Sequence, residues 1–459
     1  MQNLVYNVRI KVENYALAFQ QAFYLDKEIF MQDIVSFLNY LVCILFVVCY
    51  SYQFFYIVVS LFKKPYRFKK AEKEHRFAVM ICGRNEEAVI GNLIESIKNQ
   101  HYPQELIDVY VCADNCTDNT AAVAQQAGAI VFERFNKEKV GKGYALNFLF
   151  KRIFETSGQD YYDGYFIFDA DNLMDKRYVK EMNKAFSAGF KVVTSYRNSK
   201  NYDTNWISAG YALWFLREAR YLSNARLQLG SSCAVSGTGF LISKDIIKEN
   251  NGWHYYLLTE DIEFSIDTII KGYKIGYCPS AHFYDEQPEK FVVSWNQRIR
   301  WVKGYMQVFK YYGKKIIKGI FGTNGFSCYD MAMNLMPAYV LSMASTFINI
   351  ASFVISVIAA QGDILGITIS LAQLVGTCYS MLYLVGLITT ITEWKNIKCR
   401  GWKKILYSFT FPLFIFTFIP VTIWAMTFGK SDWKPIKHGV NKSIEDMEKK
   451  GNKSKKRSK

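Results

Sequence analysis

The chain has 459 residues, of which 51% are hydrophobic, and it carries a formal net charge of +16 at pH 7. This length is enough for two or more folding units, and the uneven spread of apolar residues indicates a membrane protein with a soluble domain. The positive charge lies beside apolar spans and in the C-terminal tail, which indicates contact with anionic lipids, and because no nucleic-acid motif is present we expect no nucleic-acid partner.

The N-terminal part predicts a membrane anchor. Residues 1–33 are mixed polar and amphipathic, and residues 34–62 contain no charged side chain. About 20 apolar residues in a helix cross the hydrocarbon core of a bilayer, so we expect residues 34–62 to form a transmembrane helix. The basic stretch that follows, residues 63–70, predicts that the next domain lies in the cytosol.

Residues 75–315 alternate between strand-like and helix-like stretches. Apolar runs at Phe77–Cys82, Val109–Ala113 and Tyr165–Phe168 end in polar residues, and helical patterns lie between them. Strands that alternate with helices favour parallel pairing, because each crossover helix returns the chain to the same end of the sheet. The sequence therefore predicts an α/β domain built on a mostly parallel sheet with helices on both faces.

Polar side chains follow the first two of these strands. Arg84, Asn85 and Glu86 come after the first strand, and Asp114 and Asn115 come after the second. Ligands of open α/β sheets bind at the carboxyl ends of the strands, so these residues are candidates for contacts with a nucleobase or a ribose. A solvated loop and an Asx-turn that starts a helix are the alternatives.

The strand at Tyr165 runs into Asp169-Ala170-Asp171. Alternation along an extended chain places both carboxylates on the same side, where they form an oxygen site suited to Mg²⁺ or Mn²⁺ with phosphates completing the shell. Lys142, between two glycines at a predicted helix start, is a candidate for contacts with phosphate charge. The alternative for the aspartates is a turn with a helix cap, and the Gly-Lys-Gly pattern is not specific by itself.

Two later stretches also carry candidate residues. Gly237 and Thr238 lie in a glycine-rich stretch that either lets a backbone approach a ligand closely or forms a tight turn between strands. Thr259, Glu260 and Asp261 precede an amphipathic helical run. Asp261 is a candidate general base. Helix capping by Thr259, with both acidic residues in the first helical turn, explains the same pattern without catalysis.

Gln297, Arg300 and Trp301 are spaced at i, i+3 and i+4, which places them on one face of a helix. Arg300 can pair with a leaving diphosphate through its planar guanidinium, and Trp301 offers a flat surface on which a sugar ring can stack. Arg298 points off this face. The alternative is an interfacial helix with extended arginines and a tryptophan anchor.

Three apolar spans follow, near residues 331–360, 364–392 and 404–428. They predict an interfacial and transmembrane region over 316–429, followed by a basic, disordered tail over 430–459. If all three spans cross the bilayer, the lysine-rich tail ends outside, against the positive-inside tendency. We therefore expect one segment to be interfacial or a hairpin, with Pro337, Pro412 and Pro420 as candidate break points.

In this order, the residues resemble the membrane-embedded branch of the family-2 inverting glycosyltransferases, which includes cellulose, chitin, hyaluronan and poly-N-acetylglucosamine synthases. The resemblance rests on the succession of Asp114, Asp169-Ala170-Asp171, Thr259-Glu260-Asp261 and the Q-x-x-R-W pattern that begins at Gln297. It covers about residues 75–315 and the flanking spans, and it implies a GT-A fold and a UDP-sugar donor.

The resemblance also implies a role for each candidate. Asp261 is the catalytic base, and Asp169 and Asp171 hold the donor diphosphate through Mg²⁺ or Mn²⁺. The implied nucleotide-sugar-binding residues are Arg84, Asn85, Glu86, Asp114, Asn115, Lys142, Asp169 and Arg300. The implied acceptor-binding residues are Gly237, Thr238, Glu260, Gln297 and Trp301.

The expected function is inverting transfer of a hexose or N-acetylhexosamine from a UDP-sugar to a growing polysaccharide, by a multi-pass protein of the cell membrane with a cytosolic catalytic domain. Transfer of one sugar to a lipid or short glycan acceptor is one alternative, and a catalytically silent membrane partner is another. The gating loop of cellulose synthase has no clear counterpart after Trp301, and the spans are few for a polymer channel. An accessory secretion subunit is therefore a candidate partner.

Overall fold

The computed structural model describes residues 37–335, 337–358, 364–428 and 438–447, together with residues 14 and 34. The strands in this part of the chain are β1 Phe77–Gly83, β2 Ile107–Asp114, β3 Ile130–Arg134, β4 Gly164–Asp169, β5 Leu173–Met174, β6 Val192–Ser199, β7 Phe240–Ser243 and β8 Ile275–Asp285. The amphipathic segment predicted over residues 1–33 lies, apart from residue 14, outside the described residues.

The helices begin with α1 Phe37–Phe62, α2 Ile90–Lys98, α3 Thr120–Gln126, α4 Lys142–Ser157, α5 Tyr178–Ser187 and α6 Trp206–Arg217. A π-helical turn, Glu218–Ser223, joins α6 to α7. The remaining helices are α7 Asn224–Gln228, α8 Lys244–Glu249, α9 Glu260–Ile270, α10 Phe291–Gly319, α11 Gly325–Leu335, α12 Pro337–Ile358, α13 Ile364–Thr392, α14 Gly401–Phe416 and α15 Phe418–Thr427.

The strands form one mixed sheet in the order β3-β2-β1-β4-β7-β6-β8-β5. β1 pairs in parallel with both β2 and β4, and the pairs β2–β3 and β6–β8 are parallel as well. β7 runs antiparallel to its neighbours β4 and β6, and β5 runs antiparallel to β8. The prediction of a mostly parallel sheet with crossover helices is confirmed.

Both faces of the sheet are covered. Along β1, Ala78 and Met80 belong to one hydrophobic core, whereas Phe77, Val79 and Ile81 belong to another. Successive side chains of a strand point to opposite faces, so a strand that is apolar throughout requires a helical layer on each side. Helices α4, α6, α9 and α10 contribute to the first core, and α2, α3 and α5 contribute to the second. Asp114 and Asp169 lie at the carboxyl ends of β2 and β4, where the helical layers leave the edge of the sheet accessible.

Within the described residues, four helical stretches have the length and hydropathy of a membrane span: Phe37–Phe62, Gly325–Val354, Val375–Thr392 and Gly401–Thr427. They lie close to the apolar spans read from the sequence and indicate membrane association. Of the three predicted break points, Pro337 is the first residue of α12, whereas Pro412 and Pro420 lie inside α14 and α15, which meet at Thr417.

The chain divides into two compact units. The first is Met1–Ser51 with Ala338–Cys378, and it contains a hydrogen bond from Asn349 Nδ2 to Asn39 Oδ1 at 3.1 Å. The second is Tyr52–Pro337 with Tyr379–Lys459, and it contains the whole sheet. All candidate site residues therefore lie in the second unit.

A buried ion pair holds three helices of the second unit together. Arg226 of α7 donates from Nε and Nη2 to Asp330 of α11, at 2.7 and 2.8 Å, and neither residue is more than 2% exposed. The hydroxyls of Tyr52 and Tyr56, both in α1, donate to the same carboxylate at 2.8 Å each. The apolar surroundings make this carboxylate costly to leave unpaired, and the same holds for the guanidinium.

Asp330→Ala should lower the free energy of unfolding by about 3–5 kcal/mol, because Arg226 would stay buried without its counter-charge. Chemical unfolding of the detergent-solubilised protein measures this difference. The control is Glu155→Ala, which removes the exposed ion pair between Glu155 and Arg152 and should cost less than about 1 kcal/mol. Equal stability of the two variants would contradict the structural role of Asp330.

Candidate active site

The loops after β1 and β2 are linked to each other at the carboxyl edge of the sheet. Asn85 and Asn115 both adopt positive φ, +60° and +52°, in the left-handed region that asparagine tolerates better than most residues. Asn85 Oδ1 accepts the Thr117 N–H at 2.8 Å, and Asn85 Nδ2 donates to Thr117 Oγ1 at 3.1 Å. The Asn85 side chain therefore has a structural role, which is to link the two loops.

Asp114, at the end of β2, is paired with Arg134 at the end of β3. The parallel register places these two residues side by side. Asn115 Nδ2 also donates to Asp114 Oδ1, at 3.0 Å. Burial raises the pKa of Asp114, and the Arg134 guanidinium opposes that effect. Asp114, the candidate contact for a nucleobase or ribose, thus has an ionic partner that no local sequence pattern indicates.

Asp169 ends β4 and forms an ion pair with Lys142, the first residue of α4. Lys142 Nζ also donates to the Gly237 carbonyl at 2.7 Å. The Asp169 N–H donates to Thr238 Oγ1 at 2.9 Å. Burial alone would lower the pKa of Lys142, but Asp169 and Glu260 outweigh it and raise the pKa above its usual value. Four sequence candidates, Lys142, Asp169, Gly237 and Thr238, are therefore in direct contact.

The turn at Gly237 also lies next to Asp261. Gly237 has φ of +78°, a conformation that glycine adopts without strain, and a side-chain carbon added there would lie 3.7 Å from Asp261 Oδ2. The glycine-rich stretch therefore brings the Lys142–Asp169 pair and the Asp261 carboxylate to the same place.

Asp171 is buried two residues beyond Asp169. Its Oδ1 accepts from Asn172 Nδ2 at 3.1 Å, and its Oδ2 accepts from the Glu286 N–H at 2.9 Å. Burial alone would raise the pKa of Asp171, but the charges of His438 and Lys200, together with the hydrogen bond from Glu286, hold it below the usual value. Asp171 is therefore an ionised carboxylate.

Glu260 and Asp261 are adjacent, partly buried residues at the start of α9. Burial, followed by the neighbouring Asp261, raises the pKa of Glu260 to about 7. Burial also raises the pKa of Asp261, whereas the positive charges of Lys142 and Arg300 lower it. Thr259 occupies the N-cap position of α9, but its side chain makes no capping hydrogen bond. The capping alternative therefore does not account for Thr259.

Gln297, Arg300 and Trp301 lie on α10, as the spacing predicted. Gln297 Oε1 and Arg300 Nε are buried and have no hydrogen-bond partner among the described residues. Buried polar atoms are nearly always paired, so these two are candidates for pairing with a bound ligand. They lie on the same helical face, one turn apart.

Trp301 and Arg298 have partners within the protein. The Trp301 ring packs edge-on against Tyr211, with centroids 5.7 Å apart, and against Phe215 at 6.3 Å. Trp301 is thus part of an aromatic cluster, and stacking on a sugar stays a prediction. Arg298 is 1% exposed and donates to Thr417 Oγ1 and to the Ser294 carbonyl, so it ties α10 to the start of α15.

A C-terminal strap, residues 438–447, lies across the carboxyl edge of the sheet. His438 Nδ1 lies 2.9 and 3.1 Å from the two oxygens of Glu86. The backbone N–H groups of Gly439 and Val440 donate to Glu286 at 3.1 and 2.9 Å. Burial alone would lower the pKa of His438, but Asp171, Glu86 and Glu286 raise it to about 10, so the imidazole is a cation.

The strap is also anchored by apolar contacts. Ile444 and Met447 are buried in a cluster with Leu173 and Tyr284. We predicted residues 430–459 to be disordered because of their basic composition, whereas this part of the tail packs on the domain. Ile444 and Met447 are spaced i and i+3 and lie on one helical turn. This apolar pair indicates a segment that packs on the domain, which the basic composition of the tail does not reveal.

The carboxylates at the end of β4 fit a divalent cation. Asp171 is ionised, and each of its oxygens keeps a lone pair beyond the hydrogen bonds from Asn172 and Glu286. Among the described residues, no three His, Cys, Asp or Glu side chains are arranged to hold a metal by themselves. A cation at Asp171 would therefore need oxygens from a bound phosphate, which is how Mg²⁺ is commonly held.

The structure thus brings together most of the candidates. Lys142, Asp169, Gly237 and Thr238 share direct contacts with each other. Glu260 and Asp261 interact electrostatically with Lys142, and Arg300 interacts electrostatically with Asp261. Asp114 and Asn115 form a separate contact group with Arg134, at the same edge. Sequence reasoning missed His438, Lys200 and Arg134, which supply positive charge around this edge.

The family model described as glycosyltransferase like family 2 matches residues 75–304. The probable glycosyltransferase YdaM of Bacillus subtilis is 27% identical over 54% of this chain and 61% of that protein. A beta-monoglucosyldiacylglycerol synthase of Synechocystis is 25% identical over 50% of this chain and 47% of that protein.

A poly-beta-1,6-N-acetyl-D-glucosamine synthase of Staphylococcus epidermidis is 24% identical over 54% of this chain and 60% of that protein. The chain therefore spans about half to three fifths of the length of these relatives. Among solved structures, the mannosyltransferase PcManGT from Pyrobaculum calidifontis, in complex with GDP-Man and Mn²⁺, matches with a TM-score of 0.55 and 15% identity. That match covers 85% of this chain and 99% of the other, and at this identity it concerns the fold.

Proposed function

Because the chain belongs to the glycosyltransferase-like family 2 and has a GT-A-type fold, we propose that it transfers a hexose or N-acetylhexosamine from a UDP-sugar to a growing polysaccharide, with inversion at the anomeric carbon. The resemblance seen in the sequence is confirmed at the level of family and fold. The family match identifies an enzyme, so the alternative of a catalytically silent membrane partner is set aside.

The observation that carries the proposal is the contact of Lys142 with both Asp169 and Gly237, next to Asp261. A cation, a phosphate-facing carboxylate pair and a candidate base at one end of a sheet are the groups that sugar transfer from a diphosphate donor requires. The buried Arg300 Nε, which lacks a partner among the described residues, adds a donor for the leaving diphosphate.

The proposed cofactor is Mg²⁺ or Mn²⁺, held by Asp171 with Asp169. When bound, such an ion supplies positive charge to the phosphates and so stabilises the leaving group. The Mn²⁺ named with the GDP-Man complex of PcManGT supports this part of the proposal.

The chain's own residues then divide the chemistry between them. Asp261 accepts the proton of the acceptor hydroxyl, and that oxygen bonds to the anomeric carbon as the bond from carbon to the diphosphate breaks. Attack on the face opposite the leaving group inverts the configuration. Lys142 and Arg300, which lie close to Asp261, face the charge that develops on the diphosphate.

Two acceptor classes are compatible with this site. Polymer formation is favoured by the similarity to a poly-beta-1,6-N-acetyl-D-glucosamine synthase. Transfer of one sugar to a lipid is favoured by the similarity to a beta-monoglucosyldiacylglycerol synthase. We commit to the polymer because Gln297, Arg300 and Trp301 form the Q-x-x-R-W pattern through which the sequence resembles polysaccharide synthases, and we keep the glycolipid as the second candidate.

Product sizing distinguishes the two acceptor classes. Membranes that contain the protein are incubated with labelled UDP-glucose or UDP-N-acetylglucosamine and Mn²⁺, and the products are separated by gel filtration and by lipid extraction. The proposal predicts label in a high-mass product that a matching glycosidase degrades. Label only in a single-sugar glycolipid would replace polymer synthesis by the second candidate.

His438→Ala should raise the KM for the UDP-sugar by about tenfold, because it removes a cation that pairs with Glu86 and whose charge acts on Asp171, the proposed metal ligand. Initial rates over a range of donor concentrations measure the change. Asn441→Ala is the matched control, since Asn441 lies on the same strap but its side-chain Oδ1 accepts a hydrogen bond from Asn92 Nδ2 at 2.6 Å. If both variants keep the wild-type KM, His438 does not contact the donor.

A further inference from the structure

Helix α10 approaches the start of α9 too closely for any side chain at one position. A side-chain carbon added at Gly304 would lie 2.4 Å from Thr259 Cγ2, 2.5 Å from Thr259 Oγ1 and 2.9 Å from Thr259 Cβ. All three distances are well inside van der Waals contact. Rotation of the threonine about χ1 would not relieve the overlap, because Cβ itself is within 2.9 Å and does not move.

The same face of α10 makes two further contacts with this segment. Gln307 Oε1 accepts the Leu258 N–H at 3.2 Å, one turn beyond Gly304. The Tyr312 hydroxyl donates to Glu263 Oε1 at 3.2 Å, and Glu263 Oε2 accepts the Leu257 N–H at 3.0 Å. The segment that carries Glu260 and Asp261 is thus held by α10 on both sides of those residues.

Arg300 lies on the same face of α10 as Gly304. Gly304 follows Arg300 at i+4, which is about one helical turn. A helix is rigid over one turn, and a shift of α10 at Gly304 therefore shifts Arg300 as well. The contact at Gly304 consequently fixes the position of Arg300 relative to Asp261.

We propose that Gly304 is a positioning residue for sugar transfer, because its missing side chain lets α10 lie against Thr259 and thereby sets the distance between Arg300 and Asp261. The inference rests on the proposed function, in which these two residues act on the leaving group and on the acceptor. It assigns to the glycine a role that helix stability does not explain, since alanine is the better helix former by about 1 kcal/mol.

The test compares Gly304→Ala with Gly313→Ala, the same substitution about two and a half turns further along α10. A side-chain carbon at Gly313 would lie 3.3 Å from the Phe309 ring, a contact that a small movement of that ring accommodates. Initial rates of UDP release from UDP-glucose or UDP-N-acetylglucosamine give kcat and KM, and calorimetry with UDP and Mn²⁺ gives nucleotide affinity. We expect Gly304→Ala to lower kcat by about tenfold or more, with a smaller change in the donor KM and in UDP affinity, because the distance from Arg300 to Asp261 affects the transfer step more than it affects nucleotide binding.

A second substitution separates positioning from general damage. Thr259→Ala removes the two nearest clashing atoms, so Gly304→Ala combined with Thr259→Ala should recover part of the lost kcat relative to Gly304→Ala alone. Equal kcat for Gly304→Ala and Gly313→Ala, a loss confined to UDP affinity, or no recovery in the double variant would each overturn the inference.

If Gly304→Ala does not fold, Gln307 provides the same test. Gln307→Met removes the acceptor for the Leu258 N–H and should lower kcat, whereas Gln307→Glu keeps an acceptor oxygen and should retain it. Equal rates for these two variants would overturn the inference. Absence of UDP release by the wild-type protein would overturn the proposed function. The comparisons between variants test only the positioning role of Gly304, so the two failures are distinguishable.

Discussion

Asp261→Asn should reduce sugar transfer by about 10²–10⁴-fold while UDP affinity stays unchanged. The amide keeps the shape of the side chain but cannot accept the acceptor's proton, and loss of a general base has an effect of this size. The Asp261 carboxylate lies beside the Gly237 turn and so next to the Lys142–Asp169 pair, which is where the acceptor hydroxyl and the donor are proposed to meet. Transfer rates with a UDP-sugar and calorimetry with UDP measure the two quantities on the same preparation.

The matched control is Asp267→Asn on the same helix. Asp267 accepts a hydrogen bond from the Tyr255 hydroxyl at 2.8 Å, and asparagine retains an acceptor there, so activity should stay near that of the wild type. Wild-type turnover in Asp261→Asn would show that another group removes the proton. A parallel loss in both variants would indicate damage to α9 rather than to catalysis.

Asp171→Asn should abolish the metal-dependent part of UDP binding and lower the transfer rate by more than about 10²-fold. The substitution keeps acceptors for the Glu286 N–H but removes the negative charge, which is what a divalent cation requires from this position. Stabilisation of the leaving group by a cation is worth several kcal/mol, and each 1.4 kcal/mol is a factor of ten in rate.

Titrations of UDP with and without Mn²⁺ measure this effect. Asp175→Asn is the control, because Asp175 lies in the turn after β5 and accepts the Arg177 N–H there. We expect Mn²⁺ to strengthen UDP binding in the wild type and in Asp175→Asn but not in Asp171→Asn. Unchanged Mn²⁺-dependence in Asp171→Asn would contradict the metal role of this carboxylate.

Local sequence patterns predicted the elements that carry the chemistry. The apolar run before Asp169 predicted a buried strand, and β4 ends at that residue. The spacing of Gln297 and Arg300 predicted a shared helical face, and α10 provides it. These predictions succeed because strand burial and helical periodicity depend on residues a few positions apart.

The contacts that complete the candidate site depend on pairs that are far apart in the chain. His438 and Glu86 are separated by 352 residues, and no local pattern links them. Arg134 reaches Asp114 only through the register of two parallel strands. Trp301 was assigned to the correct helical face, but the sequence does not tell that Tyr211 and Phe215 pack against its ring. Tertiary packing decides each of these cases.

The central claim is that the groups around Lys142, Asp169, Asp171 and Asp261 form one site that consumes a nucleotide-diphosphate sugar. UDP release by the purified protein, measured with a panel of UDP-sugars in the presence of Mn²⁺ and an acceptor extract, tests it most directly. We predict turnover of at least one donor that chelation of the metal abolishes. Absence of UDP release from every UDP-sugar, with the protein folded and Mn²⁺ present, would contradict the claim.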